Sequence, residues 1–310
     1  MLDPETFLTE LYVVVDVLCK TQLPPAAPPL GRRPALDRSE VVTLALFGQW
    51  AEFPSERAFY RYAQRRLRPL FPALPDRAQF NRCLRAELEP ITAVAQALGR
   101  ALAVGDERAF EVLDGTGVRI RNAKRRGGGW LFGQADIGWC TRVGWYEGMR
   151  LLLSVTPTGA VTGWGIGPAS TNDRTLADTF FAARAQPDPR LPEVGRPVSD
   201  CYVADMGFAG KDCEQRWARE AGAVVICPPQ TGSKREWPKP LKRWLAGLRQ
   251  IVETVNDRLL TACRLDHERP HAMDGLRARL AAKVGLHNFC LGLNRQLGRP
   301  GLAVADLIDW

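Results

Sequence analysis

Apolar residues change their rhythm near residue 105. Up to that point they recur at helical spacing, between polar caps and prolines. The opening stretch MLDPETFLTELYVVVDVLC carries one apolar face interrupted by Asp16, which predicts a packed helix. A Pro-rich linker runs from Pro24 to Pro34, and Asp37-x-x-Glu40 then reads as a capping box opening a helix through VVTLALFGQW. Phe53-Pro54 ends it, Ser55 caps a second helix over ERAFYRYAQRRL, and Pro69 stops that one. A Pro-Asp turn at 75–76 starts what reads as one long helix containing FNRCLRAELEPITAVAQAL.

Beyond about 106 the apolar positions crowd into short β-branched runs bounded by Gly and Pro: EVLDGTGVRI, MRLLLSVTPTG, AVTGWGIG, CYVADMGF and AVVICPP. Helical stretches separate the later ones: TNDRTLADTFFAAR, KDCEQRWAREAG and a long segment from about 240 to 262. Three strands, a helix, a strand, a helix, a strand and more helix predict a mixed α/β layer structure. The chain therefore divides into a helical N-terminal domain, 1–105, and an α/β domain, 106–310.

Composition narrows the class. With 310 residues, 45% of them hydrophobic, the chain can bury a substantial core. Lys and Arg number 42 against 34 Asp and Glu, a net charge of +8 that suits a polyanionic partner, nucleic acid above all. The eight cysteines are scattered without a CxxC pair, which points to reduced thiols and away from a zinc ribbon. The N-terminus lacks a basic n-region and no run reaches the ~20 apolar residues of a membrane span, so a soluble cytoplasmic protein is expected.

Two carboxylates occupy equivalent settings. Asp114 stands at the end of FEVLD before Gly115-Thr116-Gly117, and Asp205 at the end of CYVAD before Met-Gly-Phe. A strand-end Asp is commonly a turn cap, but two in one sheet project from the same edge. On the helix around 240–262, Leu241, Trp244, Leu248, Ile251, Val252, Val255 and Leu259 define the expected buried face. Arg249, Glu253 and Asn256 lie on the flanking polar strip, which can aim Glu253 at the two aspartates. Three carboxylates suit hard Mg²⁺ or Mn²⁺, and two such ions activate a water or 3′-hydroxyl and stabilise the leaving oxygen.

EVLDGT, VADMGF and RQIVET, in that order, resemble the Asp, Asp and Glu blocks of insertion-sequence DDE transposases. WYEGMRLLLSVTPTGAVTGWGIGPASTNDRTLAD is similar to the segment between their aspartates, including an A-x-x-x-D motif, and HNFCLGLNRQLGRP resembles their tail. The resemblance spans nearly the whole chain. It implies an RNase H-like mixed sheet with flanking helices behind a small all-α domain, and Asp114, Asp205 and Glu253 as ligands of two divalent ions. It further implies cleavage and strand transfer on double-stranded DNA, at terminal inverted repeats and a target, by a homodimer assembled on DNA and associated with the nucleoid. Two alternatives use the same residues: an inactive DNA-binding descendant, and a nuclease without strand transfer. Some relatives carry Tyr-x-x-Arg-x-x-x-Glu with a basic residue seven beyond the Glu; here Arg249 fits, while Ala246 and Leu260 occupy the other two places.

DNA contacts are expected at two basic runs. Arg57, Arg61, Arg65, Arg66 and Arg68 line the second short helix, as in a helix-turn-helix reader. Arg119, Arg121, Lys124, Arg125 and Arg126 follow the first catalytic strand, where with Arg249 they would hold backbone phosphates. Trp130, Trp139, Trp145 and Tyr146 suit either base stacking or core packing. Asp173 reads as a helix cap. His267-Glu-Arg-Pro-His271 matches HExxH, yet Pro270 would break the helix that motif needs.

Overall fold

The computed structural model describes residues 1–25, 34–104, 110–124, 130–186, 197–229 and 236–310. Helix α1 spans Pro4–Gln22, capped by Asp3, and buries Phe7, Leu8, Leu11, Val15 and Cys19 along one stripe. Helix α2 spans Arg38–Phe47 and begins with the expected capping box, Asp37 accepting from the Glu40 amide at 2.8 Å and Glu40 from the Asp37 amide at 2.7 Å. Helix α3, Glu56–Tyr62, is capped by Ser55 and widens into a π turn over Ala63–Leu67. The single long helix expected after Pro75 is two: α4, Arg77–Ala86, and α5, Leu88–Val104. Pro90 supplies the reason, because it has no N–H for the Ala86 carbonyl and its ring crowds that carbonyl, so the chain breaks at Glu87.

Six strands follow in one sheet: β1 Glu111–Asn122, β2 Asp136–Cys140, β3 Gly144–Val155, β4 Val161–Pro168, β5 Cys201–Ala204 and β6 Val224–Ile226. The order is β2-β3-β1-β5-β6, with β4 also paired to β3. β1, β3 and β4 are antiparallel neighbours, while β5 and β6 run parallel to β1. This is an RNase H-like mixed sheet with helices on both faces. Strand β2, in ADIGWC, adds a fourth strand before the first crossover helix; it was not expected, because a five-residue segment with a central glycine carries little strand signal.

Helices α6, Asp173–Ala185, and α7, Lys211–Ala221, cover one face of the sheet around Leu113, Leu152 and Tyr202. Helix α8, Lys239–Asp257, and its π-turn extension Arg258–Ala262 cover the other, around Val112, Leu151 and Leu153. Helix α9, Met273–Gln296, is buried on nearly every side. Its Ala281, Ala282, Leu286, Phe289, Cys290 and Leu293 share a core with α1, α2 and α5. Its Leu276, Leu280 and Val284 belong to the core under the sheet, so one helix ties the N-terminal helices to the strands. Asn288 of α9 caps the β4 edge like an extra strand: its Oδ1 accepts from the Val161 amide at 2.9 Å and its Nδ2 donates to the Val161 carbonyl at 2.8 Å. Helix α5 approaches the same carbonyl so closely that a Cβ on Gly99 would stand 2.2 Å from it. Among the described residues no helix is long and apolar enough to cross a membrane.

Candidate active site

Asp114 lies inside β1 rather than at its end, since the strand continues to Asn122 in antiparallel pairing with β3. What ends beside Asp114 is the parallel partner: the β1–β5 ladder closes at Leu113↔Ala204, and Asp205 is the next residue of that chain. The two aspartates therefore flank the point where the sheet stops being continuous. Glycines let carboxylates pack closely at this point. A Cβ on Gly115 would stand 2.2 Å from Asp173 Oδ1, and one on Gly207 would stand 2.9 Å from Asp205 Oδ1 and 3.2 Å from Asp173 Oδ2.

Across this gap lies α8. Its first two turns stand proud of the sheet, leaving Leu241 and Trp244 exposed, while Leu245, Leu248, Val252 and Val255 face the core. The expected buried face thus begins a turn later than predicted and includes Leu245. Arg249 and Glu253 are exposed and pair with each other at 3.6 Å. Asn256 is not on the polar strip with them: it is 5% exposed and donates from Nδ2 to Asp114 Oδ2 at 2.7 Å.

Asp114, Asp205, Arg249, Glu253 and Asn256 line one open cleft of about 460 Å³, together with Arg150 and the β2–β3 turn Cys140-Thr141-Arg142. Burial pushes the Asp114 carboxyl up to about 7; Asp205 adds to the rise, Arg249 opposes it, and Asp173 and Glu253 contribute further. A cleft with this balance favours an added cation. Among the described residues, however, no three His, Cys, Asp or Glu side chains lie close enough to share one ion. Glu253 is turned toward Arg249, and Asp205 Oδ1 accepts from the Gly207 amide at 2.8 Å, capping the short turn Met206–Phe208.

Asp173 is not the cap of α6; Asn172 is, accepting from the Thr175 amide at 2.8 Å. One residue further on, Asp173 receives a two-pronged bond from Arg150, Nε to Oδ1 and Nη2 to Oδ2, both 2.7 Å. The sequence offered a signal for this pair, a lone arginine inside the apolar run MRLLL. Arg142 anchors the β2–β3 turn, donating to the Gly117 carbonyl at 2.7 Å and to Asp266 at 2.5 Å. Trp139 and Trp145 face each other across that hairpin and are exposed, whereas Tyr146 is buried.

The basic runs differ in how their charges are engaged. Arg57, Arg61, Arg65, Arg66 and Arg68 are all exposed, but the π turn shifts the last three out of the straight stripe a regular helix would give. Arg119 and Lys124 are exposed, while Arg121 is committed to Glu147. Arg125, Arg126 and the three glycines after them lie outside the described residues. The HExxH match is not helical: Leu265–His267 form a short 3₁₀ turn, His271 packs edge-on against Trp130, and Glu268 pairs with Lys283 at 2.8 Å.

Residues 108–289, more than half of the chain, match the family described as Transposase DDE domain. No curated protein and no solved structure matches it.

Proposed function

We propose that this chain, which belongs to the Transposase DDE domain family, cuts DNA at the ends of a mobile element and joins the freed end to a target. The observation that carries the reading is that Asp114 from β1, Asp205 just beyond β5 and Glu253 from α8 line one open cleft. The donor set fits Mg²⁺ or Mn²⁺. These are hard carboxylate oxygens; burial first and then the neighbouring Asp205 push Asp114 up to about 7, and beside them the buried Asn256 Oδ1 has no partner among the described residues. When bound, two such ions would supply Lewis-acid polarisation of the scissile phosphate and a nucleophilic oxygen at neutral pH.

The chain's own residues do the rest. Asp114, Asp205 and Glu253 would hold the ions. Gly115 and Gly207 leave room for the Asp173 and Asp205 carboxylates beside the cleft. Arg150, fixed by Asp173, and Arg249 line the same cleft and offset phosphate charge as the backbone enters. The exposed arginines of α3 and its π turn hold the duplex away from the chemistry, with the protein acting as a homodimer on terminal repeats. Incubation with a duplex ending in the element's inverted repeat, a target plasmid and Mg²⁺ tests the activity. Joined products carrying the 3′ end of the repeat are expected; hydrolysis without joining would leave a nuclease.

A further inference from the structure

Asn256 is buried on a face of α8 otherwise occupied by Val252, Val255 and Leu259. An amide placed there solely to pack would be less suitable than another aliphatic, because a buried polar group without a partner costs stability. Half of this amide has one: Nδ2 donates to Asp114 Oδ2 at 2.7 Å. The other half does not: Oδ1 is buried and has no partner among the described residues. With Asp114 ionised, as metal binding requires, the amide cannot be reversed, because Oδ1 would then oppose a carboxylate oxygen and neither could donate. The carboxylate thus fixes the amide, and a residue that lines the cleft is left with one buried acceptor unused. Helical spacing puts Asn256 about one turn beyond Glu253, so both act on the same gap from one rigid element.

We propose that Asn256 is a positioning residue of the metal site: it orients the Asp114 carboxylate through Nδ2, and its Oδ1 is completed by the hydrated divalent ion. The proposal rests on the metal-dependent reading above and names a residue that reading does not need. Groups that orient metal ligands by hydrogen bonding generally change metal affinity tenfold to a hundredfold when removed.

The test is a Mn²⁺ titration of the full-length protein without DNA, followed by the loss of free-ion paramagnetic resonance signal. Wild type, Asn256→Leu, Asn256→Ala and Asp114→Ala are compared, with thermal unfolding in chelator to check folding. Asn256→Leu keeps the branched shape at a somewhat larger volume and removes both polar atoms, and is expected to weaken Mn²⁺ binding at least tenfold, with the chelator unfolding scan separating this loss from overpacking. Asn256→Ala opens room for a water that takes up both bonds, and is expected to fall between Leu and wild type, with a loss of about threefold or more. A packing role predicts the reverse order. A smaller loss in the Leu variant, or a Leu variant that binds no worse than Ala, overturns the proposal. If the Leu variant does not fold, the Ala variant decides, and unchanged affinity there overturns it. Asp114→Ala separates the two readings. If it still binds Mn²⁺ as wild type does, the metal reading fails and this inference with it; if it loses binding while Asn256→Leu does not, only this inference fails.

Discussion

Asp114 is the residue at which folding and chemistry pull in opposite directions. Its carboxyl is pushed up to about 7, first by burial and then by Asp205, with Arg249 offsetting part of the rise. An ordinary Asp releases its proton near 3.9. Between about pH 4 and 7 the folded chain therefore binds a proton that the unfolded chain has released, and the group's favourable contribution is lost as pH rises through 7. The gap corresponds to at most about 4 kcal/mol, before solvent screening in an open cleft reduces it. Without divalent ions, Asp114→Asn is thus expected to raise the melting temperature at pH 8 by several degrees and to leave it unchanged at pH 4. Added Mg²⁺ should raise the melting temperature of the wild type and not that of the variant, since a ligand that binds only the folded state stabilises it. A thermal scan at the two pH values, with and without Mg²⁺, measures this. A variant no more stable than wild type at pH 8 would mean that the Asp114 charge is not a strained one. Both aspartates were legible in the sequence, because an apolar run ending in Asp before small residues is a local pattern. Asn256 was not. Its angle around α8 placed it on the polar strip, and only the distance to the sheet shows that this part of the strip is covered.

Individual elements were legible where the signal is local and hidden where it depends on contacts far along the chain. The α2 capping box and the Ser55 cap of α3 were fixed by residues three apart. The break between α4 and α5 was missed although Pro90 was in plain view, because a proline near a helix start is tolerated and one in the interior is not. The buried face of α8 was shifted by a turn, because nothing in its periodicity tells how far the helix overhangs the sheet. Strand β2 exists through its pairing with β3, a partner its own five residues do not announce. The role of α9 is of the same kind. Its Asn288 pairs with the buried outer edge of β4 at Val161 and also donates to the Ala95 carbonyl at 3.1 Å, joining α5, α9 and the sheet through one side chain. Asn288→Leu removes these bonds and leaves buried backbone groups without partners. At about 1–3 kcal/mol for each group left unpaired, the variant is expected to lose about 3 kcal/mol. Chemical denaturation should show a lower midpoint with the same slope; an unchanged midpoint would mean that β4 is held by its ladder with β3 alone.

The whole molecule carries exposed positive charge both beside the sheet, at Arg119, Lys124 and, lining the candidate cleft, Arg249, and on the N-terminal helices. The chain carries +8, and the exposed arginines of α3 and its π turn belong to the N-terminal helices. Phosphate contacts release counterions, so affinity for any duplex is expected to fall steeply with salt. Replacing Arg61 and Arg65 with Ala is expected to weaken binding to element-end DNA more than to random duplex, read by competition at fixed salt. An equal loss on both would assign these residues to the backbone alone. The family match covers residues 108–289, and all of these N-terminal helices lie outside it, so their role stands on charge and exposure. The central claim is that Asp114, Asp205 and Glu253 act together through divalent metal at one cleft. The most direct measurement is cleavage of an end-containing duplex by wild type, Asp114→Asn, Asp205→Asn and Glu253→Gln, each with Mg²⁺ and with chelator, alongside DNA affinity in chelator. The account predicts cleavage by wild type with Mg²⁺ only, a loss of at least about a thousandfold in all three variants, and DNA affinity at or above that of wild type. Cleavage that persists in chelator, or in any one of the three variants, would contradict it.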